Sequence, residues 1–267
     1  VNLVELPPFA HGHRVACHDG LMIGIIAGTG YYELPGLRQR KDETYTNQYG
    51  QASVSTGTWH DVPIAFVARH GGDHSIPPNA INYRANIRAL SELGVEAVFA
   101  VNVVGSMVLE RGPGSLFLVD DFIEFTQGRD CTFFDQPGQL KHTDMTVVYD
   151  TKLRSQVLRA AQMEDIDIVE TATYVCTDGP RFETPSEIRM YKQLGAHVVG
   201  MTGYPEAALA REGNIPYASI AVASNLAAGM TDGPIEEQVV WDTLEATKES
   251  VFRLLSRSVQ LRASGEC

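Results

Sequence analysis

The sequence predicts a single α/β domain built on a mostly parallel β-sheet with flanking helices. Short apolar segments of strand length alternate along the chain with helical patterns, which is the order of βαβ units. Several of these segments are continuously apolar, as expected of strands covered on both faces. After residue 22 no repeat, low-complexity tract or Pro/Ser-rich linker divides the chain, so its 267 residues predict one domain with a sizeable core.

The strand prediction rests on a series of apolar segments at 22–27, 62–68, 95–101, 116–119, 171–176, 197–201 and 217–223. In a parallel sheet, ligands bind beyond the carboxyl ends of the strands. The residues that directly follow each segment are therefore the first candidates for a functional site.

Helical patterns fall between the strands, at 79–93, 185–194, 205–211 and 236–261. The first two end before Gly94 and Gly195, and glycine is a common residue after a helix. Thr184 is placed to cap the second helix, with Pro185 in its first turn and Glu187 closing a capping box. The last pattern predicts a long C-terminal helix.

The net charge of -12 excludes a general nucleic-acid-binding protein, because such a protein needs a basic face to neutralise phosphates. An anionic ligand would have to be held by a few local donors. The 4 cysteines are scattered, without the spacing of a zinc site or a redox dithiol. We therefore expect reduced thiols in a cytoplasmic protein.

The N-terminal region gives no sign of a membrane or export segment. Residues 1–21 lack an apolar run of signal-peptide length, and the apolar stretch at 95–109 is too short to span a bilayer. We expect no membrane partner. The first methionine is Met22, at the first clear strand. We therefore interpret residues 1–21 as an extension outside the fold, or as the result of a start site placed too far upstream, and residues 22–267 as the domain.

A glycine loop follows the first strand. Gly28-Thr29-Gly30 begins like a dinucleotide-binding turn, but Glu33 stands where that fingerprint needs its third glycine. What remains is a strand that leads into a loop with free backbone N–H groups and one hydroxyl, and such a loop can hold an oxyanion. A plain structural turn is the alternative.

Polar side chains follow four of the strands, namely Thr29, Arg69 with His70, Asn102, and Thr202. Hydroxyls, a guanidinium, an imidazole and an amide can together form a phosphate site without metal. We expect Arg69 to bind the anion in a bidentate manner. Each residue also has a structural alternative, such as solvation at a strand end or satisfaction of buried backbone groups. No metal-ligand cluster or complete dinucleotide motif is visible, so neither a metal nor a cofactor is expected.

Four stretches of the sequence resemble one family: "GIIAGTG", "ARHGGDHSIPPNAINYRANIRAL", "GPRFETPSEIRMYKQLGAHVVGMTGYPEAALARE" and "ASIAVASN". From about residue 22 to about residue 255 the chain resembles the trimeric purine nucleoside phosphorylases and methylthioadenosine phosphorylases. The resemblance implies a single α/β domain with a central mixed, distorted sheet, assembled as a homotrimer. It also implies cleavage of a nucleoside by inorganic phosphate, a co-substrate, without a cofactor.

The resemblance assigns roles around the phosphate and the sugar. The implied phosphate ligands are Thr29, Arg69, His70, Thr202 and the segment Asn102-Val103, which replaces the family's Thr-Ala. Met201 is implied to pack on the ribose, and Phe182 to lie beside the base and sugar. His142, in "LKHTDM", resembles a residue that reaches across the trimer.

Two positions are expected to select the base. Within the family an Asp at the position of Asn225 goes with 6-aminopurines and an Asn with 6-oxopurines, since an amide can donate to O6 or N7. Glu183 matches the Glu that accepts a hydrogen bond from N1–H of an oxopurine. The methylthioadenosine branch has a second Asp where this chain has Ala227. We therefore expect hypoxanthine or guanine, with Asn225, Arg69 and His70 as the catalytic residues.

The sugar end resembles the methylthio enzymes instead. Oxopurine phosphorylases place a His near the 5′-hydroxyl, and counting from Asn225 puts Val239 there, or Val240 if the alignment has a small gap. Valine cannot donate to a hydroxyl, and burying that group without a partner costs about 1–3 kcal/mol. An apolar pocket suits a methylthio group. The two valines could equally form the buried stripe of the C-terminal helix.

Together the base end and the sugar end predict phosphorolysis of S-methyl-5′-thioinosine. Two alternatives within the family are a methylthioadenosine phosphorylase with unusual base contacts and a general inosine/guanosine phosphorylase. A non-catalytic nucleoside-binding sensor is the alternative from another class. The phosphate ligands Arg69, His70 and Thr202 argue against the sensor, which has no need of them.

Overall fold

The computed structural model describes residues 21–266. The expected extension at 1–21 therefore lies outside the described residues, apart from Leu21. Within the described range nine strands form one sheet. The strands are β1 (Met22–Ala27), β2 (Arg38–Asn47), β3 (Gly50–Trp59), β4 (Val62–Ala68), β5 (Val95–Ser106), β6 (Leu116–Phe125), β7 (Ile168–Thr177), β8 (Val198–Gly200) and β9 (Tyr217–Leu226).

Five α-helices lie within the same range. They are α1 (Tyr83–Glu92), α2 (Thr151–Met163), α3 (Pro185–Gln193), α4 (Gly203–Glu212) and α5 (Glu237–Ser264), and a short 3-10 helix, Pro78–Ala80, precedes α1.

The sheet has the strand order β2-β3-β4-β1-β5-β8-β7-β6-β9, and β9 also pairs with β5. One end of the sheet therefore curls back onto its middle. Strand β1 runs parallel to β4 and β5, β5 to β9, and β7 to β6 and β8. The remaining pairs, β2 with β3, β3 with β4, β5 with β8 and β6 with β9, are antiparallel. The predicted mixed, mostly parallel and distorted sheet with flanking helices is confirmed.

Two apolar clusters cover the two faces of the sheet. Residues of α1 and α4 belong to one cluster, and residues of α2 and α5 belong to the other. Alternate residues of β4 contribute to opposite clusters, because successive side chains of a strand point to opposite faces. This two-sided burial explains why the central strands are continuously apolar in sequence.

The agreement with the sequence prediction is closest where the local signals are strong. The predicted bounds of β1 and β4 match the structure, and Thr184 forms the predicted capping box with Glu187. Helix α1 begins at Tyr83 rather than at residue 79, because Asn82 caps it by accepting from the backbone N–H of Ala85. The preceding residues form the 3-10 helix instead.

Strands β2 and β3 and helix α2 were not predicted, and the predicted ends of β5, β6 and β9 were too early. The β2–β3 hairpin and α2 have no counterpart in the prediction, and β2 is almost wholly exposed and polar, so it carries no apolar pattern. Strand β5 continues to Ser106. Asn102 therefore lies inside this strand, fully buried, and not after its end. Its amide is satisfied by buried partners, which lets a polar residue sit within an apolar strand.

Candidate active site

A cavity of about 590 Å³ lies at the carboxyl ends of β1, β4, β5, β8 and β9. This is the edge at which ligands bind in parallel sheets, and the volume suits a small molecule. The predicted site residues that line it are Thr29, Arg69, His70, Val103, Phe182, Glu183, Met201, Thr202 and Asn225. Three other predicted residues, Asn102, Val239 and His142, are not among its lining residues.

Arg69, which directly follows β4, is paired with a carboxylate. Its Nε donates to Oε2 of Glu206 at 3.0 Å and its Nη2 donates to Oε1 at 2.8 Å. Both side chains are 1% exposed, and the hydroxyl of Tyr217 also donates to Glu206 Oε1, at 2.7 Å. The charge of the guanidinium is therefore neutralised inside the protein.

The remaining donors of Arg69 are also largely used. Nη1 donates to the carbonyl of Val101 at 2.7 Å, and Nη2 donates to that of Ile26 at 3.4 Å. Of the five N–H groups of a guanidinium, these contacts among the described residues leave one, on Nη1. The prediction that Arg69 binds an anion in a bidentate manner is thus wrong, because its Nε and Nη2 already donate to the carboxylate of Glu206.

The glycine loop approaches Arg69 closely. A Cβ built on Gly28 would lie 2.8 Å from Arg69 Nη1 and 3.4 Å from Cδ2 of His70. Only glycine fits this contact without displacing the guanidinium. The loop after β1 and the Arg-His pair after β4 therefore meet at one point of the cavity.

His70 has a defined tautomer. Its Nδ1 lies 2.8 Å from the carbonyl oxygen of Ile76, and since a carbonyl only accepts, Nδ1 carries a proton. Burial lowers the pKa of His70 from 6.5 to about 4, and the charges of Arg69 and His74 act in the same direction. The imidazole is therefore neutral near pH 7, and its Nε2 is a hydrogen-bond acceptor.

A second imidazole, His74, lies at the edge of the loop. Its Nε2 is 3.5 Å from Oγ1 of Thr29, and its ring meets the rings of His70 and Trp241 edge-on, with centroids 5.3 Å and 6.1 Å away. His74 lines the cavity and has a φ of 58°. Such left-handed backbone is uncommon for non-glycine residues and is found preferentially at functional sites.

Thr202 is the N-cap residue of α4 and lines the cavity. Its backbone N–H and that of Gly203 both donate to the hydroxyl of Tyr174, each at 3.2 Å. Its own Oγ1 accepts from Nδ2 of Asn102 at 2.9 Å. Asn102 therefore reaches the site only through Thr202, whereas Val103, the next residue, lines the cavity directly.

Asn225 and Glu183 lie at another part of the wall. The amide Nδ2 of Asn225 donates to the carbonyl of Leu226 at 2.8 Å, and its Oδ1 accepts from the hydroxyl of Ser224 at 2.8 Å. Glu183 accepts from the hydroxyl of Thr177 at 2.7 Å, and burial raises the pKa of its carboxyl group. The contacts among described residues leave one N–H of Asn225 and one oxygen of Glu183 for a ligand.

Met201 and Phe182 complete this wall. Gly179, with a φ of 64°, packs so closely on Met201 that a Cβ there would lie 2.3 Å from its sulfur. Met201 is thereby held against the loop that carries Phe182. Phe182 itself is 52% exposed and lies at the rim.

An apolar part of the lining comes from Val240, in the first turn of α5, and from Ile235, which precedes the helix. Val239, the position favoured from the sequence, is 43% exposed and is not part of the lining. Successive residues of a helix point about 100° apart, so only one of the two valines can face the cavity. Of the two candidates for the 5′ position, Val240 lines the cavity and Val239 does not.

His142 is exposed and lies away from the cavity of the single chain. Among residues 21–266, no three His, Cys, Asp or Glu side chains come together as a potential metal site. Within the same residues, every helix is too short or too polar to span a membrane.

A family model described as the phosphorylase superfamily matches residues 22–260. The chain belongs to the phosphorylase superfamily. The matched region begins at the first residue of β1 and covers all the lining residues of the cavity.

Similar proteins of the phosphorylase superfamily carry three kinds of names. A 6-oxopurine nucleoside phosphorylase from Pyrococcus furiosus is 42% identical over 90% of this chain and 92% of its own length. A probable S-methyl-5′-thioinosine phosphorylase from Methanocaldococcus jannaschii is 44% identical over 88% of this chain and 89% of its own length. The structure of methylthioadenosine phosphorylase from Schistosoma mansoni with adenine superimposes with a TM-score of 0.87 at 26% identity, covering 91% of this chain and 92% of that one. The predicted nucleoside phosphorylase fold is thereby confirmed.

Three residues of this phosphorylase-superfamily chain that shape the site were not predicted from the sequence. Glu206 had a signal, because a buried arginine needs a carboxylate partner. His74 also had one, since it follows the Arg69-His70 pair within the same loop. Arg129 lies in a polar segment without periodicity, and nothing in the sequence pointed to it.

Arg129 joins the two loops that carry the wall of the cavity. Its Nη1 donates to the carbonyls of Met201 and Tyr204, each at 2.8 Å. Its Nη2 donates to the carbonyls of Thr177 and Asp178, at 3.1 Å and 3.0 Å. A single buried guanidinium therefore ties the end of β7 to the segment that begins α4.

Proposed function

We propose that the protein catalyses phosphorolysis of S-methyl-5′-thioinosine to hypoxanthine and 5-methylthioribose 1-phosphate, a step of purine salvage. One observation carries the proposal: a single cavity combines the amide of Asn225 and the buried carboxyl of Glu183 with the apolar side chains of Val240 and Ile235. The first pair suits a 6-oxopurine. The second pair suits a methylthio group.

Phosphate enters beside the glycine loop and is oriented toward C1′ of the sugar. The Nη1–H of Arg69, the hydroxyl of Thr202 and the loop at Thr29 offer donors to its oxygens. The Nε2 of His70 accepts a hydrogen bond from a protonated phosphate oxygen. Holding the nucleophile in this position is the main contribution of this side of the cavity.

In the reaction the bond from C1′ to N9 breaks and a bond from C1′ to a phosphate oxygen forms. The electron pair of the broken bond moves into the purine, which becomes negative at N7 and O6. Phosphate gives up one proton as its oxygen bonds to C1′, and the purine anion takes up one proton to leave as hypoxanthine. The free N–H of Asn225 donates to that charge, and the free oxygen of Glu183 accepts from N1–H of hypoxanthine. Donors placed where charge develops lower the barrier, so a covalent protein nucleophile is unnecessary.

The 5′ substituent of the sugar faces the start of α5. Val240 and Ile235 offer no hydrogen bond there, and a hydroxyl buried against them would lose its partners at a cost of about 1–3 kcal/mol. A methylthio group loses nothing and gains apolar contact. Two similar proteins of Methanocaldococcus and Methanothermobacter, named probable S-methyl-5′-thioinosine phosphorylases, support this substrate.

A general 6-oxopurine nucleoside phosphorylase is the second candidate. The observation that favours it is His74, an imidazole in the lining that could serve as the partner of a 5′-hydroxyl. The similar Pyrococcus protein carries that name. A methylthioadenosine phosphorylase is less favoured, because Asn225 and Ala227 differ from the base contacts of that branch.

A panel of nucleosides tests the proposal. Methylthioinosine, inosine, methylthioadenosine and adenosine are each assayed with and without phosphate, and release of the free base is measured. We expect phosphate-dependent release with the highest kcat/KM for methylthioinosine. A higher value for inosine would favour the second candidate, and a higher value for methylthioadenosine would contradict the role of Asn225. If no nucleoside releases its base in a phosphate-dependent manner, the proposal is wrong and the alternative of a non-catalytic nucleoside-binding protein is favoured.

We also propose a cytoplasmic homotrimer in which His142 faces the site of a neighbouring chain. The exposure of His142 in the single chain is compatible with such a contact. Light scattering should give about three chain masses. His142→Ala should then alter nucleoside kinetics in the trimer, and a monomer in solution would contradict the assembly.

A further inference from the structure

The cavity-lining hydroxyl of Thr202 is one end of a buried chain of three polar side chains. The hydroxyl of Ser219 donates to Oδ1 of Asn102 at 2.7 Å, and Nδ2 of Asn102 donates to Oγ1 of Thr202 at 2.9 Å. Ser219 and Asn102 are both buried and do not line the cavity. A polar chain buried among apolar strands costs free energy unless each member is satisfied, so a functional role is a reasonable explanation for it.

This hydrogen-bonded chain is anchored in two paired strands of the sheet. Asn102 lies in β5 and Ser219 in β9, and these strands run side by side in parallel pairing. Ser219 pairs directly with Ala100, two residues before Asn102, so the two side chains are diagonal neighbours on one face of the sheet. Their positions are set by backbone pairing and do not depend on a ligand.

The proton count at Thr202 gives the chain a direction. A hydroxyl has one hydrogen to donate and can accept as well. Because Oγ1 of Thr202 accepts from Asn102, its hydrogen is free, and among the described residues it has no acceptor. The cavity is the side on which that hydrogen can find one.

The opposite orientation of the amide would have the opposite effect. With Oδ1 of Asn102 facing Thr202, the hydroxyl would donate into the protein and present only lone pairs to the cavity. An oxyanion, itself an acceptor, would then be repelled. The burial of Ser219 opposes this orientation. Its hydroxyl would then accept from Nδ2, and its own hydrogen would have no acceptor among the described residues.

We propose that Ser219 and Asn102 are positioning residues that fix Thr202 as a hydrogen-bond donor to phosphate. The proposal rests on the phosphate site of the proposed function. It assigns Asn102 an action through Thr202 and no contact of its own with the anion. The chain of donation runs from Ser219 to Asn102, then to Thr202, and then to a phosphate oxygen.

The test is a double-mutant cycle on phosphate. Asn102→Leu keeps the volume and adds no charge, but it removes the donor to Thr202. We expect the KM for phosphate to rise about tenfold, while the KM for the nucleoside at saturating phosphate changes less than about twofold. In the background of Thr202→Val, which has no hydroxyl to orient, Asn102→Leu should cause no further rise.

Ser219→Ala is the second variant, since it removes a single oxygen and keeps the fold. It should raise the KM for phosphate about threefold, because the amide is then free to turn. Its effect should also vanish in the Thr202→Val background. Equal rises in the two KM values, additive effects with Thr202→Val, or no change in either variant would overturn the proposal.

Direct binding of inorganic phosphate separates this proposal from the proposed function. The dissociation constant for phosphate is measured by calorimetry in the wild type and in both variants, without any nucleoside. A wild type that binds phosphate but releases no base would contradict the proposed function alone. The dissociation constants of the variants would then still test whether Ser219 and Asn102 position Thr202. If the variants of an active enzyme bind phosphate with unchanged dissociation constants, the positioning role of Ser219 and Asn102 is wrong and the proposed function still stands.

Discussion

Two sides of the same cavity differ in how fully the protein satisfies their polar groups. On the side proposed to bind phosphate, here called the phosphate side, Arg69 is bound to Glu206, His70 to the carbonyl of Ile76, and Thr202 to Asn102. All three side chains are buried. On the side proposed to face the base and sugar, Phe182 is 52% exposed and Val240 offers only apolar surface.

The difference indicates two separate physical tasks. The phosphate side is built into the core, so its geometry exists before a ligand arrives, and it carries little net charge because Glu206 neutralises Arg69. The other side consists of apolar side chains together with Asn225 and Glu183, each of which keeps one hydrogen-bonding group free for a ligand. Changes on the phosphate side should therefore reduce stability, whereas changes on the other side should shift substrate preference alone.

The largest effect is expected from Glu206→Gln. This variant removes the charge that pairs with Arg69, and breaking a buried pair while leaving one charge alone costs about 3–5 kcal/mol. The free energy of unfolding, measured with denaturant, should fall by that amount. Glu245→Gln is the control, because its pair with Lys248 is exposed and contributes about 0–1 kcal/mol. Similar losses in the two variants would show that the buried pair of Arg69 and Glu206 contributes no more to stability than an exposed pair.

His70 should give stability a pH dependence. Its pKa falls from 6.5 to about 4 on folding, with Arg69 and His74 as the charged or titratable neighbours. Between these values the unfolded chain binds a proton that the folded chain does not, so stability decreases as the pH falls. At pH 5 this loss reaches about 2 kcal/mol relative to pH 8.

His70→Gln cannot titrate and should lack that component. The difference in unfolding free energy between wild type and His70→Gln is measured from pH 8 to pH 5. The contributions of carboxylates that both proteins share cancel in this difference. The wild type should lose more stability than the variant over this range. A constant difference would mean that His70 is not held in its neutral form.

Asn225→Asp tests the base side. The substitution replaces the donating amide by a carboxylate that faces O6 and N7, so kcat/KM for methylthioinosine should fall by at least about tenfold. Methylthioadenosine should improve relative to methylthioinosine, since its amino group can donate to the carboxylate. Full conversion is not expected while Ala227 and Glu183 remain. The exposed Asn214→Asp is the matched control and should leave both values unchanged.

The smallest effect is expected at the 5′ end, where two neighbouring valines form a matched pair. Val240→His places an imidazole in the cavity and should lower the preference for methylthioinosine over inosine by about threefold to tenfold, on the scale of one buried hydrogen bond. Val239→His lies outside the lining and should not change it. Equal responses of the two variants, read from ratios of kcat/KM, would show that this part of α5 does not face the 5′ group.

Local signals carried the successful part of the sequence prediction. Continuous apolar runs located β1 and β4, and Thr184 with Glu187 located the start of α3, since each depends on neighbours in sequence. The β2–β3 hairpin gave no such signal because β2 is almost wholly exposed and polar, and β3 consists mainly of small and polar residues. Helix α2, although capped by Asp150, was not recognised.

The errors at the site come from contacts between distant parts of the chain. Asn102 looked like a residue after a strand, but its partners Thr202 and Ser219 lie 100 and 117 residues away. Arg69 looked free to bind an anion, but Glu206 lies 137 residues away and takes its fork. A sequence pattern shows which residues gather at a sheet edge, but it does not show which of them already bind one another.

Competition between methylthioinosine and inosine tests the central claim most directly. Both nucleosides are supplied at equal concentration with phosphate in one reaction, and the disappearance of each is followed by chromatography, so that the ratio of rates equals the ratio of kcat/KM. An apolar 5′ wall at Val240 and Ile235 predicts that methylthioinosine is consumed at least about tenfold faster, the scale for a hydroxyl buried without a partner. Consumption of inosine at an equal or higher rate would contradict the account.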